Sequence, residues 1–460
     1  MSGFVKPNSF RAELGATLGL AAPLALANLL QMGVFAIDVM FVARLGQESL
    51  AASSLAVAII GVVMMGLNGV TSAAAPLIAA QLGRRANSVR EVRRSVRMAL
   101  WLGAALAIFA IGLCTFGGWF MLWTGQQPRV AAIAGYFLQV LSIAMLPMVI
   151  ANVLRTFVST LGRPVFATVI TGVSILVNAA GNYAFVFGHF GAPALGLTGS
   201  AIASIITATL TVLAYLIAIR TDRRLRRFHI LGRLWRPEWQ RLRQMLSLGL
   251  PISATLIAEG GLFSSAAFLM GRVGEAELAA HTVALQVAAF AFQVPFGIGQ
   301  AATIRVGYHY GAGNREAIAS AGWAAVVTGL AFSLASAAPM LLMPRLILSA
   351  YIDVDAASNA VMVGFALQYL FVAAVFQLSD GIQAIAAGVL RGIQDTRVPM
   401  VIAVIGYWLA GFATSVMLGL FTPLRGLGVW IGLAVGLSVA AVMLLARWHW
   451  RDRLVRGWKA

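Results

Sequence analysis

The sequence predicts an all-α integral membrane protein of twelve transmembrane helices, built as two parallel six-helix repeats around a central cavity. Three observations carry this prediction. The chain is 60% hydrophobic and only 10% charged, where a soluble domain carries about 25% charged residues. Its apolar residues gather into twelve stretches, each near or above the ~20 residues that cross a hydrocarbon layer ~30 Å thick. Motifs of the first half also recur in the second at a fixed offset.

The stretches run over residues 14–42, 53–80, 98–122, 132–157, 165–187, 197–219, 245–271, 281–307, 318–343, 358–389, 400–420 and 426–446. Lys and Arg sort by side of these spans. The even loops and both ends of the chain hold 27 of the 33 basic residues; the odd loops hold one each (Arg44, Arg129, Arg272, Arg345 and Arg425), and Arg155 lies near the end of the fourth span, where it is expected to snorkel. Basic loops stay on the cytoplasmic side, so this split places both termini and the long middle loop in the cytoplasm. The net charge of +18 is then a topology determinant with some anionic-lipid contact, and not a nucleic-acid footprint. The first apolar stretch is too long for a cleavable signal, contains Asp38 and lacks a small-residue cleavage site, so it is expected to be retained as a span. A single cysteine, Cys114, excludes a disulfide framework and a cysteine metal site, and the five histidines show no ligand spacing; no resident cofactor is expected.

The sizeable polar interruption at 220–244 divides the chain into an N-lobe (1–219), this basic linker, a C-lobe (245–446) and a basic tail (447–460). Trp235 and Trp239 among Arg233, Arg236 and Arg241 suit a short helix at the cytoplasmic interface, with a disordered linker as the alternative. An offset of 228 residues aligns Pro23 with Pro251, Gly33 with Gly261 and Phe35 with Phe263, and lays RLGQESLAASSLA (44–56) on RVGEAELAAHTVA (272–284). LRTFVSTLGRP (154–164) likewise matches LRGIQDTRVP (390–399) with one residue deleted. Six spans per half is an even number, so the repeats enter the membrane in the same direction, the arrangement in which two halves rock for alternating access.

Asp38, Glu259 and Asp380 lie inside long apolar runs, whereas the other 12 of the 15 acids fall at segment edges or in loops. A charge in hydrocarbon costs at least ~2.5–3.5 kcal/mol, so such residues face a cavity or bind something. Under the offset Asp38 maps to Ala266 and Glu259 to Gln31. Gln31 and Asp38 are seven residues apart, which returns to within ~20° on a helix, so the two acids share one helical face about 10 Å apart in depth. Further polar stripes comprise Gln286, Gln293 and Gln300; Thr171, Ser174, Asn178 and Asn182; and Gln377, Asp380 and Gln383. Each amide taken singly could equally be interhelical glue at about 0.6–2 kcal/mol per contact, and each acid a neutral structural group. No Lys or Arg lies at matching depth, so a proton, an alkali cation or a cationic substrate must balance the acids. Burial disfavours an ionised carboxyl, which suits a proton. Sodium would take several oxygens from a carboxylate pair, and a lipophilic cation would add aromatic faces such as Phe35, Phe263, Phe290, Phe292 and Phe376. Competition of two ligands for one acid yields exchange.

Twelve spans in two parallel repeats, P-x7-Q-x6-D in the first span (Pro23, Gln31, Asp38) and the G-x3-L-A-A loops together resemble the multidrug and toxic compound extrusion family over essentially the whole chain. Glu259, Asp380 and the Asn178–Asn182 pair are similar to its bacterial NorM-like branch. The resemblance implies an antiporter, driven by H+ or Na+, that exports diverse, mostly cationic and aromatic compounds; an inner-membrane location and a functional monomer are expected with it. It puts Asp38 and Asn178 in an N-lobe coupling site and Glu259 and Asp380, a possible sodium site, in the C-lobe. Gln31, Phe35, Asn182, Phe263, Gln286, Gln293, Phe376 and Gln377 are the expected substrate-cavity residues. Phe376 stands where the branch can carry a hydroxyl-bearing Tyr, which weakens a sodium assignment.

Two other classes compete. A flippase for a lipid-linked sugar would line its cavity with basic residues for an anionic head group, whereas this interior is acidic. A membrane enzyme would need a clustered set such as HExxH or GxSxG, and the sequence has none.

Overall fold

In a computed structural model, the chain is described over residues 10–84, 88–232 and 234–452. These residues form helices and turns without a strand, as a lipid-embedded backbone requires: with no water to bond, each N–H and C=O must be satisfied within its own helix. Among the described residues eleven helices are long and apolar enough to cross a membrane, and a pair bent by 42° brings the number to twelve when counted as one span. We label the spans α1 (Phe10–Ala43), α2 (Gln47–Arg84, with a turn at Ala73), α3 (Ser88–Cys114), α4 (Pro128–Ser142, continued after the bend by Met145–Thr160), α5 (Val165–Phe187) and α6 (Leu197–Thr221). The second six are α7 (Trp239–Val273), α8 (Glu275–Gly311), α9 (Arg315–Leu342), α10 (Ala357–Gly392), α11 (Arg397–Phe421) and α12 (Arg425–His449). Every apolar stretch read from the sequence lies within or largely overlaps one of them.

The helices form two compact units, one from Leu26 to Ser253 and the other combining the chain up to Ala25 with the chain from Ala254. The sequence, read span by span, divides at the linker; the packing instead divides inside α1 and inside α7. Both divisions fall two residues after a proline, Pro23 and Pro251, and they are 228 residues apart, the repeat offset itself.

Glycine explains where the first span of each repeat is received. In the first unit a Cβ at Gly69 of α2 would lie 2.4 Å from Ser253 Cα of α7, and one at Gly249 of α7 would lie 2.5 Å from Val70 O. In the second unit a Cβ at Gly297 of α8 would lie 2.7 Å from Ala25 N of α1. The offset carries Gly69 onto Gly297 and Ala25 onto Ser253, so one backbone-to-backbone crossing is built twice. Small residues permit such approach in membranes, where tight packing replaces a hydrophobic driving force.

The start of each first span is also held by charge. Glu13 of α1 is 1% exposed and accepts from Arg305 Nε at 2.8 Å and Nη2 at 2.6 Å, with His309 Nε2 at 3.4 Å. At the equivalent position of α7, Arg241 pairs with Glu91, while Glu238 pairs with Arg94 and Arg97. The short interface helix expected around Trp235 and Trp239 does not form: Trp235 stands outside any helix and Trp239 begins α7. Arg223–Arg226 form a single turn capped by Asp222, and the described residues from Arg227 to Glu238 run outside any helix with hydrogen bonds to α3.

Replacing Gly297 or Gly69 with Val forces a side chain into backbone at these crossings, and overpacking costs about 1–3 kcal/mol. Both variants are expected to unfold at lower temperature in detergent than wild type, while Gly112→Val, whose Cβ would meet nothing within 4 Å, is not.

Candidate carboxylate sites

Charge pairing separates the 15 acids without ambiguity. Eight form ion pairs with arginine: Glu13, Glu48, Glu91, Asp222, Glu238, Glu277, Asp355 and Asp395. Glu275, Glu316, Asp353 and Asp452 are exposed to solvent or headgroups. The remaining three, Asp38, Glu259 and Asp380, are neither exposed nor in an ion pair among the described residues. Burial alone does not set them apart, since Glu13 and Glu277 are more buried than the half-buried Asp38 and Glu259; what sets the three apart is shielding from solvent without an ion pair. Arg391, three turns beyond Asp380 on α10, acts on Glu259 through space but forms no ion pair with it. Arg155, expected to snorkel, instead donates to Asn28 Oδ1 of α1.

In the first unit Asp38 of α1 meets α5 and α6. Asn178 and Asn182, one turn apart on α5 and fully buried, each donate Nδ2 to Asp38 Oδ1, at 3.0 and 2.8 Å. Ser204 Oγ of α6 donates to Oδ2 at 3.3 Å. Asn182 Oδ1 is buried without a partner, so the amide that donates to the carboxylate leaves an acceptor over. Asn182, read as cavity lining, therefore belongs with Asn178. Ser204 escaped the sequence reading although Ser200, Ser204, Thr207 and Thr211 mark one face of the sixth span at helical spacing.

In the second unit Gln383 joins the other two acids. Its Nε2 donates to Glu259 Oε1 of α7 at 3.1 Å and to Asp380 Oδ1 of α10 at 3.3 Å, and its Oε1 accepts from Tyr407 OH of α11 at 2.7 Å. Asp380, Gln383 and Tyr407 are all buried. Tyr407 stands in a π-helical segment, Ile405–Phe412, a wide-turn form frequent at functional sites. Gly406 and Gly411 of this segment lie against Gly436 of α12, where a Cβ would come within 3.0 and 3.1 Å. Nothing in the sequence of the eleventh span announces the π turn or the partner of its tyrosine.

The residues expected to line a cavity divide. Phe376 is 1% exposed, packed edge-to-face with Phe263 at 6.1 Å and with Trp430 at 5.8 Å, so it is core and not lining. Gln377 is interhelical glue: its Nε2 donates to Ser336 Oγ at 2.8 Å and Ser333 O at 3.3 Å on α9. Gln293 donates to its own helix at Ala289 O, at 3.3 Å, and Gln286 is exposed. Gln31 and Phe263 are half-buried and Phe35 is 50% exposed, so these three keep surface to offer a ligand.

The sequence profile described as MatE matches residues 23–184 and again residues 251–417, two blocks starting 228 residues apart, one on each half. The protein belongs to the MatE family. A protein of Mesorhizobium japonicum named probable multidrug resistance protein NorM is 42% identical over 447 residues, 97% of this chain and 96% of that one. One of the same name from Brucella suis is 38% identical over 96% of this chain and 94% of its own. The crystal structure of the eukaryotic MATE transporter AtDTX14 superimposes with a TM-score of 0.86 over 97% of this chain and 99% of that chain, at 21% identity, and so shares the fold.

Tyr407→Phe would leave Gln383 Oε1 buried without a donor, which costs about 1–3 kcal/mol. Ser204→Ala removes a longer, weaker bond at 3.3 Å. The unfolding temperature in detergent is expected to fall more for Tyr407→Phe than for Ser204→Ala; the reverse order would contradict the geometry.

Proposed function

We propose that this MatE-family chain is a cation-coupled antiporter that exports diverse, mostly cationic and aromatic compounds, using Asp38 in one unit and Glu259 with Asp380 in the other as coupling acids. The observation that carries the reading is the set of three membrane-embedded carboxylates held by amides and hydroxyls but by no guanidinium. Neutral dipoles steady an anion without cancelling its charge. A proton, a sodium ion or a cationic compound can therefore occupy the same acid in turn, which is the exclusion that exchange requires. At Asp38, Asn182 gives its Nδ2 to the carboxylate and keeps its own Oδ1 buried without a partner. At the other pair, two carboxylates bridged by one amide offer oxygens to a cation. Multidrug resistance is the role named for the relatives, and it accords with aromatic surface at the exposed Phe35 and the half-buried Phe263. The basic loops orient the chain with both ends in the cytoplasm of an inner membrane.

Reconstitution in liposomes with a fluorescent cationic dye tests this, with pH and sodium gradients imposed separately. Wild type is expected to extrude dye under one of them, and that gradient names the coupling ion. Asp38→Asn and Glu259→Gln should insert normally and lose coupled efflux by an order of magnitude or more. Undiminished efflux in Asp38→Asn, Glu259→Gln and Asp380→Asn alike would sink the mechanism, and efflux under neither gradient would sink cation coupling.

A further inference from the structure

The loop joining α6 to α7 is set against α3 in a way that neither the coupling acids nor the topology of the chain requires. Arg93 Nε of α3 donates to Phe228 O at 2.7 Å, and Trp101 Nε1 donates to Leu234 O at 2.6 Å. The loop then returns, since Glu238 pairs with Arg94 and Arg97 and its N–H meets Met98 Sδ at 3.2 Å. Arg93 and Trp101 are eight residues apart on α3, about 12 Å along the axis. The chain thus dips along α3 to Leu234, level with the first turn of the apolar stretch that starts at Met98, and climbs back. Trp235 stands at the tip, 73% exposed, with Trp101 at 47% beside it and Trp239 at 73% on the return. Tryptophan with an apolar body and a single N–H settles at the headgroup–acyl boundary.

The underside of the loop is packed. Leu225, Phe228 and Ile230 are buried, and Phe228 meets Phe157 edge-on at 5.9 Å. The charge therefore lies on the outside. Each acid within reach is already engaged: Asp222 with Arg163, Glu91 with Arg94 and Arg241, Glu238 with Arg94 and Arg97. Arg220, Arg223, Arg226, Arg227, Arg236 and Arg243 are exposed and form no ion pair among the described residues. A topology signal needs basic residues in the loop. It does not need them carried on a docked backbone, without an acid partner among the described residues, on a loop that exposes a tryptophan.

We infer that this loop is a binding surface for anionic phospholipid of the cytoplasmic leaflet, with the arginines on the phosphate and Trp235 seated among the upper acyl carbons. Polybasic surface attracts anionic lipid at about fivefold per arginine, so removing three should cost on the order of 100-fold.

Native mass spectrometry of the full chain in detergent, offered phosphatidylglycerol and phosphatidylcholine together, reads the preference directly. Wild type is expected to retain phosphatidylglycerol over phosphatidylcholine. R223Q/R226Q/R227Q should lose that preference, and W235S should weaken retention with every arginine in place. Soluble glycerol phosphate should not compete; if it displaces the lipid, the surface binds phosphate and the lipid assignment is overturned. Equal retention of the two lipids by wild type, or an unchanged preference in R223Q/R226Q/R227Q, overturns the proposal as well. Should that variant fail to fold, R236Q/R243Q reads the same quantity from the other arm of the loop.

Discussion

A carboxylate inside hydrocarbon must be matched by a fixed cation, by dipoles with a mobile cation, or by a proton, and the architecture follows from which match each acid receives. At the helix ends the match is arginine, and those pairs act as fasteners: Glu13 with Arg305, Glu277 with Arg425, Asp395 with Arg447. At Asp38, Glu259 and Asp380 the hydrogen-bonded match is amide and hydroxyl only. An acid with an arginine has little left to exchange, whereas an acid held by N–H dipoles keeps its charge available. The same residue type therefore serves as fastener in one place and, in the function proposed above, as exchange site in another.

The two sites are reached by the same device in each repeat, though they differ in detail. The first span of a repeat carries an acid on a shared face, at Asp38 in one half and at Glu259 in the other. Its start is received in the opposite unit over a glycine, Gly297 or Gly69. The glycine crossing and the terminal ion pair fix where each first span enters. Beyond the crossing, each helix is free to present its acid to α5 and α6, or to α10 and α11. Asp38 is served by three separate side chains; Glu259 shares one amide with Asp380. The repeat has been conserved as a frame within this one chain, and the depth and partners of the acid have diverged inside it.

Much of this was legible in the residues themselves. Hydropathy and the Lys/Arg split mark all twelve spans, because the bilayer imposes length and composition directly on sequence. The offset of 228 is visible as matched motifs, and it places Gly69 on Gly297 in advance; that each glycine receives the opposite repeat is a tertiary choice no local pattern encodes. Asn178 and the three acids stand out because polarity is rare at that depth. Gln377 and Phe376 misled for the complementary reason: an amide can glue helices as well as face a ligand, and a phenyl ring can fill a core as well as line a cavity. Tyr407 and Ser204 were hidden, since a lone hydroxyl in an apolar span gains meaning only from its partner across the helix interface.

Exchange by competition makes one demand that structure alone does not: substrate must expel the cation it replaces. Adding a lipophilic cationic dye to the detergent-solubilised protein, with a pH indicator in weak buffer and a sodium electrode, measures that expulsion without any membrane gradient. The account predicts release of a proton or a sodium ion in step with dye bound, and its loss when the responsible acid is replaced by its amide. Saturable dye binding that releases neither ion would contradict it.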